Sequence, residues 1–315
     1  MGMNKVQFQK SLSWPEFHEK YGTEEQCFQA AFKQKWPFGY DCPECGNKTY
    51  CRVRNKRVLQ CNHCHYQTSV TAGTIFHSSN LPLTRWFLAI HLLTQAKNGI
   101  SALELSRLID VSYKTAWKMK HKLMHVMKEQ EDKDTLSGRI EIDDAYLGGK
   151  NKGGKRGRGS ENKLPFFAAV QTSEDKRPLK MKLRVIKGFT KEEARKWQER
   201  FLEKSCHIVT DGLACFRTMA SAGHSHHQEK TYVNGKFVEH ADFNWVNTIL
   251  GNLKNAIIST YKANNKKYAQ RYLSEFEYRF NRRFNLKTIL NKLLKDSVTT
   301  PPMPERLLRL AVNRT

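Results

Sequence analysis

The chain is short of the features that carry proteins into or across membranes. It has no run of about 18 apolar residues, the length a spanning helix needs. Its most apolar helical stretch, residues 84–97, is interrupted by His91, Thr94 and Gln95. The opening Met1-Gly-Met-Asn-Lys-Val-Gln has neither the apolar h-region of a signal peptide nor the Ser or Thr of a myristoylation motif. Negative charge is scarce as well: 30 Asp and Glu stand against 54 Lys and Arg, a formal net charge of +24 over 315 residues. Such a field attracts polyanions, and with a membrane disfavoured the expected partner is nucleic acid. Cysteine is sparse, eight in all, and half of it lies in one cluster, which in a reducing compartment points to metal and away from disulfides. A cytoplasmic, nucleoid-associated protein of two or three domains is expected, since the length and the 39% hydrophobic content suffice for at least one sizeable core.

The cluster is Cys42-Pro-Glu-Cys45 and, fifteen residues on, Cys61-Asn-His-Cys64. Two C-x-x-C knuckles at this separation form a tetrahedral four-thiolate site, a zinc ribbon in which Zn²⁺ plays a structural part. Between them Thr49–Arg54 and Arg57–Gln60 read as a hairpin turning at Asn55-Lys56, lined by Arg52, Arg54, Lys56 and Arg57. Cys51 is expected to be a small packed residue, while His63 and His65 flank the second knuckle as weaker candidate ligands.

An amphipathic helix is expected over Thr84–Lys97, then Ser101–Ile109, a break at Asp110-Val-Ser112, and a second helix over Tyr113–Met127. Ser101 precedes Glu104 by three residues, as in a capping box. The pattern is a helix-turn-helix. Its second helix would offer Lys114, Thr115, Lys118 and Lys122, with Tyr113, toward DNA, although plain helical hairpins far outnumber DNA readers. A glycine-rich basic loop, Lys150–Gly159, carries Lys155, Arg156 and Arg158 and lacks the Gly-Lys-Ser/Thr ending of a P-loop, so a backbone clamp on DNA is expected and nucleotide binding is not.

From Ser137 helix period gives way to strand period. Arg139–Leu147 is a short apolar stretch carrying Asp143, and His207–Asp211 is another that ends on Asp211. Singly, each aspartate is most simply a turn or cap residue. Paired, two strand-end carboxylates need compensation by metal or hydrogen bonds. Asn247 and Lys254, seven residues apart, share one face of a helix. Two acids and a helix-borne ligand suit two divalent cations, Mg²⁺ or Mn²⁺, in phosphodiester chemistry. Alternation sends Asp143 and Asp144 to opposite strand faces, so only one is expected in the site, and Asp143, with Glu141 on its face, is the choice. Further strands are expected at Leu164–Gln171 and Leu179–Ile186, and helices at Thr190–Phe201 and Lys266–Arg283, an α/β order with mixed pairing. The second of these helices would bury Tyr272, Leu273, Phe276 and Phe280 and pair Glu275 with Arg279 on its surface; His224, His226 and His227 are expected in a polar loop without metal.

With these residues in view the chain resembles the ISXO2-like insertion-sequence transposases of the IS1595 family over nearly its whole length. The resemblance rests on Tyr66–Phe76 after the ribbon, Glu141-Ile-Asp-Asp-Ala-Tyr-Leu-Gly-Gly149 at the first acid, and Tyr272–Arg283 near the end. It implies an RNase H-like α/β catalytic domain preceded by a four-cysteine zinc ribbon and a helix-turn-helix, with asparagine replacing the third acid. Carried over, the catalytic set is Asp143, Asp211, Asn247 and Lys254. The expected layout is an N-terminal helical segment at 1–40, the ribbon at 41–69, the helix-turn-helix at 82–130, the catalytic domain at 137–290 and a tail at 291–315. The implied activity is metal-dependent cleavage and strand transfer at terminal inverted repeats of double-stranded DNA, by a homo-oligomer in the synaptic complex. The rivals are a non-catalytic DNA-binding regulator derived from a transposase, and a ribonuclease H or junction-resolving nuclease.

Overall fold

The computed structural model describes residues 9–53, 58–148, 163–229, 232–233, 236–237, 243–261 and 265–311. The chain divides into two compact units, one of Met1–Met127 with Arg282–Thr315 and one of Lys128–Asn281.

The first unit opens with helices α1 (Trp14–Tyr21) and α2 (Glu24–Lys35), each started by a reciprocal capping box, Ser13 with Glu16 and Thr23 with Gln26. Strands β1 (Tyr50–Arg52), β2 (Val58–Cys61) and β3 (Gln67–Ser69) make an antiparallel ribbon sheet. Helices α3 (Leu83–Gln95), α4 (Ala102–Leu108) and α5 (Tyr113–Glu131) follow. Ser101 caps α4 by accepting from the Glu104 N–H at 3.0 Å. Asp110 takes a left-handed φ of 51° in the break before α5, a conformation aspartate tolerates better than most residues. Pro82 cannot cap α3 with a side chain; the carboxylate of Glu24 reaches over from α2 and accepts from the Leu83 and Thr84 N–H groups at 3.0 and 3.1 Å.

The second unit is built on one five-stranded sheet. Strands β4 (Arg139–Leu147), β5 (Leu164–Thr172) and β6 (Pro178–Val185) form an antiparallel meander; after helix α6 (Lys191–Phe201), strand β7 (His207–Thr210) joins β4 in parallel, and after the short helix α7 (Thr218–Ser221), strand β8 (Ser225–Gln228) joins β7 in parallel. The sheet order is β6-β5-β4-β7-β8. Helices α8 (Trp245–Thr260) and α9 (Ala269–Asn281) complete the unit. Both sheet faces are covered, which is why β5 reads as a near-continuous apolar run. Ile140, Ile142, Phe167, Ala169 and Ile208 face Trp197 and Phe201 of α6 on one side. Ala145, Leu147, Phe166, Ala168, Val170 and Val209 face Val246, Leu250 and Leu253 of α8 and Leu273 of α9 on the other. This is an RNase H-like α/β fold.

The edge strand β6 is closed by side chains of α9. Gln270 accepts from the Val185 N–H and donates to the Leu183 carbonyl (2.8 and 2.9 Å), Glu277 accepts from the Leu183 N–H (3.0 Å), and Asn281 accepts from the Met181 N–H and donates to its carbonyl (2.8 and 3.0 Å). Residues 270, 277 and 281 fall on one helix face, so three polar side chains stand in for a missing strand on an edge that would otherwise invite pairing. Lys182 pairs with the second oxygen of buried Glu277 at 2.9 Å. Burial raises the Glu277 carboxyl even against the pull of Lys182.

Several expectations change here. Glu275 and Arg279 do pair, at 2.7 Å, but in the interior and not on the helix surface, where Tyr261 also bonds Glu275. His226 and His227 lie in β8 and not in a loop; its parallel pairing with β7 supplies the order that the polar sequence hides. The segment at 291–315 is not a tail through residue 310: α10 (Ile289–Thr299) and α11 (Glu305–Leu310) belong to the first unit, and α10 buries Ile289, Leu290, Leu293, Leu294 and Val298. No helix among the described residues is long and apolar enough to cross a membrane.

Replacing Asn281 with Leu strips partners from both backbone groups of Met181 while keeping the volume. The expected loss is about 2 kcal/mol or more, seen as a lower urea midpoint at unchanged slope; an unchanged midpoint would contradict the edge-closing role.

Candidate catalytic and metal sites

Each cysteine knuckle is a tight turn closed by backbone hydrogen bonds. The Gly46 N–H donates to the Cys42 carbonyl (2.9 Å) and the His65 N–H to the Cys61 carbonyl (3.1 Å), while the Cys42 and Cys61 N–H groups bond Asn47 and Tyr66 carbonyls, both at 3.0 Å. Gly46 and His65 occupy equivalent left-handed positions, φ 71° and 59°. His65 is thus a turn residue whose ring sits beside Gln60, and His63 contributes its backbone N–H to Cys61 Sγ at 3.4 Å. The four Sγ atoms converge within 4.8 Å of one another, with Cys42–Cys64 and Cys45–Cys61 each 3.6 Å apart. Burial raises the Cys61 thiol, but the Cys64 and His63 N–H groups, Asn47 and Cys45 outweigh it and hold it near about 6. Cys64 is driven the other way, to about 12: burial and the neighbouring Cys45, Cys42 and Cys61 sulfurs outweigh the Tyr66 N–H that would lower it. Four sulfurs this close cannot all ionise without a cation among them, which is the chemistry of a zinc cradle. Cys51, expected to be packed, is exposed on β1. Arg52 is held by both oxygens of Glu25 at 2.9 Å and lies over the Phe28 ring.

On α5, Lys114 is exposed and the Thr115 hydroxyl bonds Ser112 at 2.9 Å. Lys118 pairs with Glu305 of α11 at 3.3 Å, and Lys122 donates to the Ile75 and His77 carbonyls at 2.9 and 3.4 Å. Beyond Met119 the helix is buried on nearly every side, so its exposed face is confined to the first turns. Arg54, Lys56, Arg57, Lys155, Arg156 and Arg158 lie outside the described residues.

The acids meet because of strand register. Ile140, Glu141 and Ile142 of β4 lie beside Ile208, Val209 and Thr210 of β7 in parallel, so the next pair in register is Asp143 beside Asp211, where β7 ends. Asp211 follows the last residue of β7, whereas Asp143 sits midway along β4 and not at its end; the two carboxylates meet where the parallel ladder stops and β4 runs on beside β5. Asp211 turns back so that Oδ1 accepts from the Leu213 N–H at 3.1 Å. Gly212 makes that turn with φ +89°, and a Cβ there would collide with the Gln228 side chain.

Asp144 also reaches the cluster: one oxygen from each of Asp143, Asp144 and Asp211 lies within 4.8 Å of the others. This corrects the expectation that alternation admits only one of the adjacent pair. Asp143 curls along its strand, with Oδ1 accepting from the Asp144 N–H at 2.8 Å, and past Thr210 no β7 residue pairs with this edge, so side chains from either face can lean over it. Burial, then the facing charges of Asp211 and Asp144, push the Asp143 carboxyl up to about 7, against the Asp144 N–H and Lys254. Lys254 therefore acts electrostatically on Asp143 from α8. Asn247 lies two turns earlier on an exposed part of the same helix, its amide donating to the Phe243 carbonyl at 3.3 Å.

Residues 135–281 match the ISXO2-like transposase domain, and residues 22–67 match the transposase zinc-ribbon domain. The chain belongs to the ISXO2-like transposase family. The two matches together cover more than half of its residues. The family's catalytic domain coincides with the sheet unit, and its ribbon domain takes in α2 as well as both cysteine knuckles. The chain is also 27% identical, over 232 residues spanning 68% of it and 73% of the relative, to an uncharacterized protein in transposable element ISH50 of Halobacterium salinarum.

The sequence placed Glu141 on the strand face of Asp143 but assigned it no partner. Glu141, two residues before Asp143 on the same strand face, is 1% exposed. Its Oε2 accepts from the Trp245 and Val246 N–H groups at 2.8 and 3.1 Å, and its Oε1 from Arg139 at 2.9 Å. The available signal was a second acid with the same strand parity.

Asp143 ionises near 7 when folded and near about 3.9 when unfolded. Its contribution to stability is thus fully present below the lower value and lost as pH rises through the upper one. In EDTA at pH 8, Asp143→Asn should melt at least about 3 °C above wild type, with the gap closing toward pH 4. Equal melting temperatures at pH 8 would contradict the carboxylate repulsion.

Proposed function

We propose that the protein is a cut-and-paste DNA transposase that hydrolyses the phosphodiester at the ends of its element and then joins the freed 3′-hydroxyl to target DNA. The observation that carries this reading is the register that sets Asp143 beside Asp211 where the parallel β4–β7 ladder ends, in a chain of the ISXO2-like transposase family. Both reactions are in-line displacements at phosphorus, so one site serves both. Asp143 and Asp211, with Asn247, would hold two Mg²⁺ or Mn²⁺ ions, which supply activation of the attacking oxygen and stabilisation of the leaving one. The donor set fits such ions: hard oxygens, clustered, with a carboxyl whose proton a divalent cation readily displaces near neutral pH. Asp144 is close enough to supply a further oxygen or to accept a proton. Lys254 balances the acids and contacts the phosphate being cut. Cys42, Cys45, Cys61 and Cys64 hold Zn²⁺ in a structural role.

Terminal inverted repeats are bound through the ribbon and the helix-turn-helix, with Lys114, Thr115 and Lys118 on α5 and the basic loop with Lys155, Arg156 and Arg158 contacting double-stranded DNA; Lys122, expected among them, is instead engaged by the Ile75 and His77 carbonyls. Two ends must be joined, so the working form is a homo-oligomer at the nucleoid. The charge of +24 accelerates encounter with DNA and makes binding steeply salt-dependent.

Asp143→Ala and Asp211→Ala should each lower cleavage and strand transfer of labelled element ends by at least about a thousandfold while leaving end binding within about twofold. Wild-type joining by either variant would remove that acid from the site. Cut ends without joined products would favour a simple nuclease, and bound but intact wild-type ends in Mg²⁺ or Mn²⁺ would favour a regulator.

A further inference from the structure

Helix α8 begins without a side-chain cap of its own, since Asn244 makes no such bond. Its first two N–H groups, on Trp245 and Val246, are instead taken by one oxygen of Glu141, more than a hundred residues away in sequence. The other oxygen is fixed by Arg139, which is itself anchored to the Thr172 hydroxyl on β5 at 3.0 Å. Glu141 is therefore clamped between the base of the sheet and the start of a helix. It shares a strand face with Asp143, and two residues along a strand span roughly 6.6 Å. The same helix carries Asn247 at its third position and Lys254 two turns on, and the charge of Lys254 acts on Asp143.

We infer that Glu141 is a positioning residue for the reaction. By capping α8 from β4 it sets the height and roll of that helix against the strand bearing Asp143, and so holds Asn247 and Lys254 in register with the carboxylates. A local cap such as Ser or Asp at position 244 would accept from the Val246 or Asn247 N–H without tying the helix to the sheet. A buried carboxylate is a costly alternative, and it couples the two elements whose side chains must converge. Val246, Ile249 and Leu253 pack on the same sheet face, but apolar contacts of this kind tolerate sliding and rotation, whereas a carboxylate bonded to two successive N–H groups and an arginine does not.

The inference rests on the proposed transposase reading, and the test separates the two. Cleavage of element ends over a range of DNA concentrations is measured for the full-length protein, with kcat, the KM for DNA and the half-saturating Mn²⁺ concentration determined for wild type, Glu141→Ala and Glu141→Gln. Hydrogen exchange over residues 243–250 is followed in parallel. In the alanine variant kcat should fall at least about tenfold with KM for DNA unchanged, the half-saturating Mn²⁺ should rise, and exchange at the start of α8 should speed up. The glutamine variant, whose amide oxygen can still accept from Trp245 and Val246, should recover most of the loss. Should the alanine variant fail to fold, Glu141→Asp carries the test: it keeps the charge but withdraws it by one methylene, and the same drop in kcat is expected. Wild-type kcat in Glu141→Ala or Glu141→Asp overturns the inference, as does a loss that glutamine fails to recover. A wild-type protein that cuts no DNA would instead overturn the functional reading.

Discussion

Mutual repulsion among Asp143, Asp144 and Asp211 is the constraint around which the sheet unit is arranged. Three carboxylate oxygens within 4.8 Å of one another are unfavourable in a folded protein unless a proton or a cation separates them. Burial sharpens the repulsion at Asp143; Asp143 and Asp211 each accept from a local backbone N–H, and Lys254 acts on Asp143 from an exposed helix face. A fold selected only for stability would not concentrate negative charge where a parallel ladder ends. Strain of this kind is tolerated where function needs it, and here the rest of the unit supplies the rigidity that keeps the acids together. The parallel β4–β7 ladder fixes the register, and the two covered sheet faces resist slippage because a shift by one residue would send every core side chain to the opposite face, against a layer packed for other side chains.

Carboxylates serve a second purpose in both units, as long-range caps. Glu24 closes the start of α3 and Glu141 the start of α8, and neither helix has a side-chain cap at its own N-cap position. Each acid sits at the positive end of a helix dipole and accepts from N–H groups that would otherwise lack partners. On α9 the logic is reversed: polar side chains of the helix satisfy the backbone of the strand. Gln270, Glu277 and Asn281 thereby explain physically why the Tyr272–Arg283 stretch is so polar on a face that is buried.

Much of this was legible from residues alone, for identifiable reasons. β5, β6 and α6 fall within a residue or two of their expected limits because two-sided burial leaves a nearly unbroken apolar run in β5, β6 alternates apolar and basic residues, and Thr190 marks a helix start. The cysteine spacing implied a cradle, and an aspartate in each of two apolar stretches implied the meeting of Asp143 and Asp211, although Asp143 sits midway along β4 and not at its end. What stayed hidden depends on tertiary partners. Glu141 looks like an ordinary strand acid until α8 arrives a hundred residues later. The buried face of α9 reads as solvent-exposed because its polar atoms bond to backbone, which leaves no trace in hydrophobic periodicity. Asp144 joins the cluster through a side-chain bend that alternation does not describe. β8, with four polar residues, acquires its strand character from β7.

The most direct measurement is the anomalous-difference map of crystals grown with Mn²⁺ at pH 7.5. If the acids are held together in order to bind divalent cations, a peak should stand between the carboxylates of Asp143 and Asp211, within coordination distance of both, and should vanish in Asp143→Asn. A fully soaked crystal with no density between those two side chains, or with the two carboxylates turned apart, would contradict it.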